Sequence, residues 1–208
     1  MTGSLIIVGF FFLGCLLGWS GLMPAFLRDE DLTMYVLYLL MFQVGLSIGS
    51  DKQLKEILTN IRPKLLLVPL ATITGTLLFS ALISLFLSRW SVTDCLAVGS
   101  GFAYYSLSTI LITQLKEPTL GVQMAAELGT IALMSNIFRE IFTLLGAPLF
   151  VRVFGRFAPI CAGGATTMDT TLPIITATCG KDLVFVSIFH GILVDFSVPF
   201  LVSFFCSI

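Results

Sequence analysis

Apolar runs long enough to cross a bilayer, roughly twenty residues each, alternate along this chain with short charged corners. Residues 5–27 form the first run, about 34 Å long as a helix, with Gly9, Gly14, Gly18 and Gly21 spaced to let another helix approach closely. No positive residue precedes it and apolar sequence continues past Cys15, so a retained span is expected rather than a cleaved signal. Arg28-Asp29-Glu30-Asp31 ends it, and residues 32–48 form a second run bearing Gln43, either a packing hydrogen bonder or a pathway residue. A charged connection over 51–64 leads to a third run, 65–87, which is apolar apart from Thr72, Thr74, Thr76 and a few serines.

The pattern then changes character. Residues 95–115 are apolar but interrupted by Gly99-Ser100-Gly101. Residues 119–129, with Glu127, are expected as a short interfacial helix, and 130–151 as a span holding Asn136, Arg139 and Glu140. A last span, 183–205, contains His190-Gly191, Asp195 and Pro199. Between these two spans lies Gly163-Gly164-Ala165-Thr166-Thr167-Met168-Asp169-Thr170-Thr171-Leu172-Pro173, a carboxylate and four threonines among helix-breaking residues. A central Asp costs on the order of 2.5–3.5 kcal/mol on membrane-insertion scales, and unwound backbone is tolerated there only beside protein or water. This stretch is therefore read as the substrate site.

The two interrupted segments align without a gap. Gly101 pairs with Gly164, Ser106 with Asp169, Ser108 with Thr171, Ile112 with Ile175 and Thr113 with Thr176. Repeated Gly-broken segments in two halves of a chain point to a transporter binding site. Charge decides how they are expected to sit. With both segments as re-entrant hairpins, Lys52, Lys55, Arg62, Lys64, Arg152, Arg156 and Lys181 lie inside, and only Arg28, Arg89 and Lys116 lie outside. The hairpins then form an inverted pair whose tips meet near the midplane, with the N-terminus cytoplasmic and the C-terminus outside.

Composition agrees with the pattern. Apolar residues make up 57% of the chain and charged ones 11%, against about a quarter charged in soluble domains, and the mean hydropathy is +1.03. The expected fold is a single all-α transmembrane domain over 1–208, with about five spanning helices plus the two broken segments. The net charge of -1 says nothing about nucleic acid, but no basic run exists that could hold phosphates, so nucleic acid is not expected as a partner. Cys15, Cys95, Cys161, Cys179 and Cys206 are scattered singly, so they read as small packing residues, with no disulfide framework or metal site.

Glu140 and Asp169 are the leading candidates for chemistry. Asn136 shares a helix face with Glu140, whereas Arg139 points about 100° away. Ser106, Ser108 and Tyr105 after the first break, and Thr167 and Thr171 around the second, add hydroxyls to the substrate and proton site. Gly99, Gly101, Gly163, Gly164 and Pro173 provide the backbone breaks. Helix ends there offer carbonyls to an ammonium and N–H groups to a carboxylate. A buried carboxyl suits a carrier whose charge alternates, with a proton and a cationic substrate competing for one acid. His190 is open to a packing role or a proton-relay role. Asp195, five residues on, is poorly placed to pair with it. No catalytic set is read.

Four ordered motifs carry a resemblance: Gly101-Phe102-Ala103-Tyr104-Tyr105-Ser106-Leu107-Ser108, Asn136-Ile137-Phe138-Arg139-Glu140, Gly164-Ala165-Thr166-Thr167-Met168-Asp169 with Leu172-Pro173, and His190-Gly191. In this order they resemble the bacterial lysine exporter LysO family over essentially the whole chain. The resemblance implies a plasma-membrane exporter of L-lysine and toxic lysine analogues, driven by proton antiport, with Glu140 and Asp169 functional and no cofactor beyond the coupling ion. Full-length members carry about three further spans ahead of the part matched here, so the resemblance also implies a small membrane protein or a second copy as partner. Two other readings stay open. One is a sodium-coupled transporter of an anionic substrate with Arg139 as the anion's partner. The other is an intramembrane aspartyl protease using Asp169 and Asp195, although Asp169 follows Thr-Thr-Met where such enzymes resemble Gly-x-Gly-Asp.

Overall fold

A computed structural model describes residues 63–208 and, before them, isolated helical positions between Leu13 and Leu46. The runs expected at 5–27 and 32–48, with Gln43, and most of the 51–64 connection lie outside the described residues. The chain divides into two compact units, Met1–Leu54 and Lys55–Ile208. In the first, the described positions, Leu16, Trp19 and Phe42 among them, are helical and exposed.

The second unit is all-α, with no strand among its described residues. Its helices are α1 (Leu67–Ser84), α2 (Val92–Gly99), α3 (Tyr105–Leu120), α4 (Val122–Phe154), α5 (Ala158–Gly163), α6 (Leu172–Cys179) and α7 (Val184–Ser207). A 3-10 turn, Gly164–Met168, follows α5. Two helices, Leu67–Ser84 and Lys181–Ser207 (the latter including a 3-10 turn ahead of α7), are long and apolar enough to cross a membrane.

Local chemistry explains the boundaries. Ser91 caps α2 through a capping box: its hydroxyl accepts from the Asp94 N–H at 3.1 Å and the Asp94 carboxylate accepts from the Ser91 N–H at 3.0 Å. The expected division into an interfacial helix over 119–129 and a span over 130–151 does not occur. Instead α3 runs on to Leu120, the chain turns at Gly121 with φ +80°, and α4 continues for 33 residues, about 50 Å. Gly129 does not break α4 because it lies flush against α3, where a Cβ would overlap the Thr113 hydroxyl. Glu127, near the start of α4, pairs with Arg89 at 2.7 Å.

The interrupted segments are helix–break–helix units, α2 to α3 and α5 to α6, and they meet at their breaks. The Ala165 N–H donates to the Phe102 carbonyl at 2.8 Å. Gly164 adopts φ +62°, and a Cβ there would overlap the same carbonyl oxygen, so only glycine allows this approach. Across the junction Phe102 and Ala103 also take positive φ, 43° and 74°. The five aligned pairs agree in burial: Gly101 and Gly164 buried, Ser106 and Asp169 exposed, Ser108 and Thr171 buried, Ile112 and Ile175 buried, Thr113 and Thr176 intermediate.

Helix α7 lies against both segments. Gly191 brings it so close to the 3-10 turn that a Cβ would stand 2.7 Å from the Met168 nitrogen. The interior is rich in hydroxyls and small residues, including Thr72, Ser100, Ser108, Thr143, Thr167 and Ser187, while large apolar side chains such as Phe79, Leu145, Phe200 and Phe204 face outward. That distribution fits a protein dissolved in lipid, where small and hydrogen-bonding residues drive helix packing.

Among the described residues, one ion pair is buried. Lys116 Nζ lies 3.0 Å from Asp94 Oδ1, with both side chains under 10% exposed, so Lys116 is not the loop charge that an outside position would make it. Removing one member leaves the other charge buried, at a cost of about 3–5 kcal/mol. Lys116→Met should therefore lower the melting midpoint of the detergent-solubilised protein sharply, and adding Asp94→Asn should recover much of that decrease. A double variant no better than the single one would show that the pair is not coupled.

Candidate functional site

Broken backbone in an apolar interior needs partners for its freed N–H and C=O groups. Two side chains of α4 hold the two breaks. Asn136 Oδ1 accepts from the Ala103 N–H at 2.7 Å, while Nδ2 donates to Ser108 Oγ at 3.2 Å and to the Ala132 carbonyl at 2.9 Å. Gly101 is necessarily glycine here, since a Cβ would overlap the Asn136 amide. Three residues on, Arg139 donates through Nε to the Ala162 carbonyl at 2.8 Å and through Nη2 to the Cys161 carbonyl at 3.0 Å. These are last-turn carbonyls of α5, at its electronegative end. Arg139 Nη1 reaches Thr76 Oγ1 of α1 at 3.2 Å, and its Cζ lies 5.7 Å from the centroid of the Phe102 ring. No carboxylate pairs with Arg139 among the described residues.

A hydroxyl layer lies behind the second break. Thr166 Oγ1 donates to the Gly163 carbonyl at 2.9 Å and lies 3.2 Å from Thr171 Oγ1. Thr167 Oγ1 is 2.9 Å from the carbonyls of both Gly164 and Ser187 and 3.0 Å from His190 Nδ1. His190 is fully buried, and its Nε2 lies 2.8 Å from Thr72 Oγ1, which also reaches the Val68 carbonyl. Each hydroxyl can donate to the ring or to a carbonyl, so neutral His190 is satisfied in either tautomer.

The carboxylates are placed differently. Asp169 is exposed, and its Oδ1 accepts from the Thr170 N–H at 2.6 Å. Glu140 is half-buried on α4 with no hydrogen bond or ion pair among the described residues, so neither interaction joins it to Asp169. Tyr105 and Ser106 are exposed at the start of α3, and Pro173 is exposed in the first turn of α6. Gly99 and Gly163 are close-packing positions, where a Cβ would overlap Ser80 and crowd Thr167. A cavity of about 730 Å³ opens on the α1 side of Asn136 and Arg139, lined also by Thr72, Thr76 and Cys161, but neither Asp169 nor Asp195 lines it.

Sequence reasoning passed over the Arg139 clamp and the Asp94–Lys116 pair. The three-residue spacing of Asn136 and Arg139 on one helix was a usable signal, whereas nothing local links Asp94 to Lys116. Asn136→Ala would strand the Ala103 N–H in the interior, and an unsatisfied buried donor costs about 1–3 kcal/mol. The expected result is a lower melting midpoint. An unchanged midpoint would mean that the backbone holds the first break unaided.

Comparison with known proteins bears on this arrangement. The family described as Lysine exporter LysO matches residues 8–206. A protein of Escherichia coli (strain K12) named Lysine exporter LysO is 33% identical over 204 residues, 97% of this chain and 64% of that one. A Putative lysine exporter of Haemophilus influenzae (strain ATCC 51907 / DSM 11121 / KW20 / Rd) is 34% identical over 197 residues, 94% of each chain. The chain thus spans just under two thirds of the length of the first relative. No solved structure matches it significantly. With all four motifs inside the matched span, at the breaks, at their clamps and on the helix that packs against them, the chain belongs to the lysine exporter LysO family.

Proposed function

We propose that this chain is the core of a secondary transporter that exports L-lysine, and toxic lysine analogues, across the bacterial plasma membrane in exchange for protons. The observation that carries this reading is the meeting of two broken helices at the Phe102–Ala165 hydrogen bond, beside Asp169. Helix ends, hydroxyls and a carboxylate gathered at one junction match the needs of an amino acid that carries both charges. The names of the relatives supply the substrate, and the family's character as a transporter family stands against the protease reading.

In this mechanism Asp169 and Glu140 alternate between a proton and the cationic substrate, and Asn136, Ser108, Thr167, Thr171 and His190 keep the junction in shape. Tyr105 and Ser106, both exposed beside the first break, are placed to contact substrate. The N-terminus is cytoplasmic and the C-terminus outside. A small membrane protein or a second copy of the chain completes the transporter. The sodium-coupled anionic reading loses support because Arg139 spends three donors on Ala162, Cys161 and Thr76.

Proteoliposomes loaded with radiolabelled lysine test the proposal. Efflux should require an imposed proton gradient and should not respond to exchange of sodium for potassium. Hydrogen bonds to charged groups contribute about 1.5–3 kcal/mol, so Asp169→Asn should cut efflux at subsaturating lysine by roughly an order of magnitude or more. Proton-coupled lysine efflux at the wild-type rate in that variant would remove Asp169 from the site.

A further inference from the structure

Asp195 is the one acid of α7, and the family motifs do not include it. The residue is 7% exposed, and its carboxylate has no hydrogen bond or ion pair among the described residues. It lies one helical turn beyond Gly191, on the face that α7 presses against the 3-10 turn at Thr167 and Met168. This places it toward the chain just after Met168, where Asp169 stands. Asp195 and Asp169 thus lie within electrostatic range of each other, and Tyr104 of the first break lies within range of both. A second acid stands near Asp169, on the face of α7 that packs on the 3-10 turn, largely buried and without a hydrogen bond among the described residues. A carboxylate in that position is unfavourable until a positive group joins it.

We propose that Asp195 and Asp169, brought together across the junction with Tyr104 at its side, form a two-carboxylate site for an organic ammonium group. Asp169 forms its accessible rim and Asp195 its buried end. In the transporter proposed above, on which this inference rests for its substrate, the ammonium is the side-chain ammonium of the exported amino acid. Asp195 is then a binding residue, and the ligand supplies the positive partner that the chain does not.

Thermal-shift titrations of the purified protein provide the test, with lysine, cadaverine, which keeps two ammonium groups but has no carboxylate, and norleucine, which lacks the side-chain ammonium. Lysine and cadaverine should raise the melting midpoint, and norleucine should not. Removing one carboxylate from such a site weakens half-maximal ammonium binding by roughly tenfold or more, so Asp195→Asn should do this for both ligands. The same substitution should leave the ligand-free midpoint equal to or above that of the wild type, because it removes a buried repulsion; a merely structural acid would lower it. Asp195→Glu should retain part of the binding. The proposal is overturned if Asp195→Asn binds lysine and cadaverine like the wild type, or if it lowers the ligand-free midpoint without altering affinity. Protection by cadaverine that depends on Asp195, with no lysine efflux in vesicles, would uphold the ammonium site and refute the lysine-export reading.

Discussion

Backbone that leaves a helix inside an apolar medium must find a partner for every freed N–H and C=O group, and in this protein that requirement governs the junction. Asn136 and Arg139, three residues apart on α4, meet it for the two breaks in turn. The neutral amide takes the first break, accepting from the Ala103 N–H and donating to Ser108. The guanidinium takes the second, donating to the carbonyls of Cys161 and Ala162. The different chemistry follows from what each break exposes: a donor at Ala103, where the chain turns through positive φ, and acceptors where α5 runs out. The Phe102–Ala165 hydrogen bond then joins the two breaks directly, so α4 acts as a common splint for both segments.

Around this splint the protein has few strong interactions and many modest ones. Thr72, His190 and Thr167 form a chain of hydrogen bonds from α1 through α7 to the second break. Each hydroxyl has more acceptors than protons to give, which lets the network redistribute without leaving a group bare. Close approaches at Gly101, Gly164 and Gly191 make these bonds possible, since a methyl group at any of them would push the partners apart. The buried Asp94–Lys116 pair does a different job, tying α2 to the far end of α3 and so bracing the first broken segment from outside its break.

The carboxylates show how function departs from stability. Asp94 has a capping partner and a lysine, whereas Asp195 has neither among the described residues and lies within electrostatic range of a second acid. A fold selected only for stability would not retain that second arrangement. The exposed Asp169 and the buried Asp195 therefore stand apart from the acids that serve the scaffold.

Much of this was legible in the chain. Hydropathy located α1 and α7 to within a few residues, because a long apolar run needs no tertiary information to be helical in lipid. The glycine interruptions marked both breaks, and the pairs aligned without a gap between Gly101–Thr113 and Gly164–Thr176 share one degree of exposure within each pair, since a helix–break–helix unit repeats its own local pattern. What the tertiary structure alone decided were matters of long-range packing. The continuity of α4 through Gly129 depends on α3 packing against it, the burial of Lys116 on Asp94 far back in the chain, and the direction of Arg139 on carbonyls that exist as acceptors only because α5 ends beside it. The surroundings of Asp169 are of the same kind: sequence offered Glu140 as its acidic companion, whereas the close approach of α7 at Gly191 to Met168 is a matter of packing.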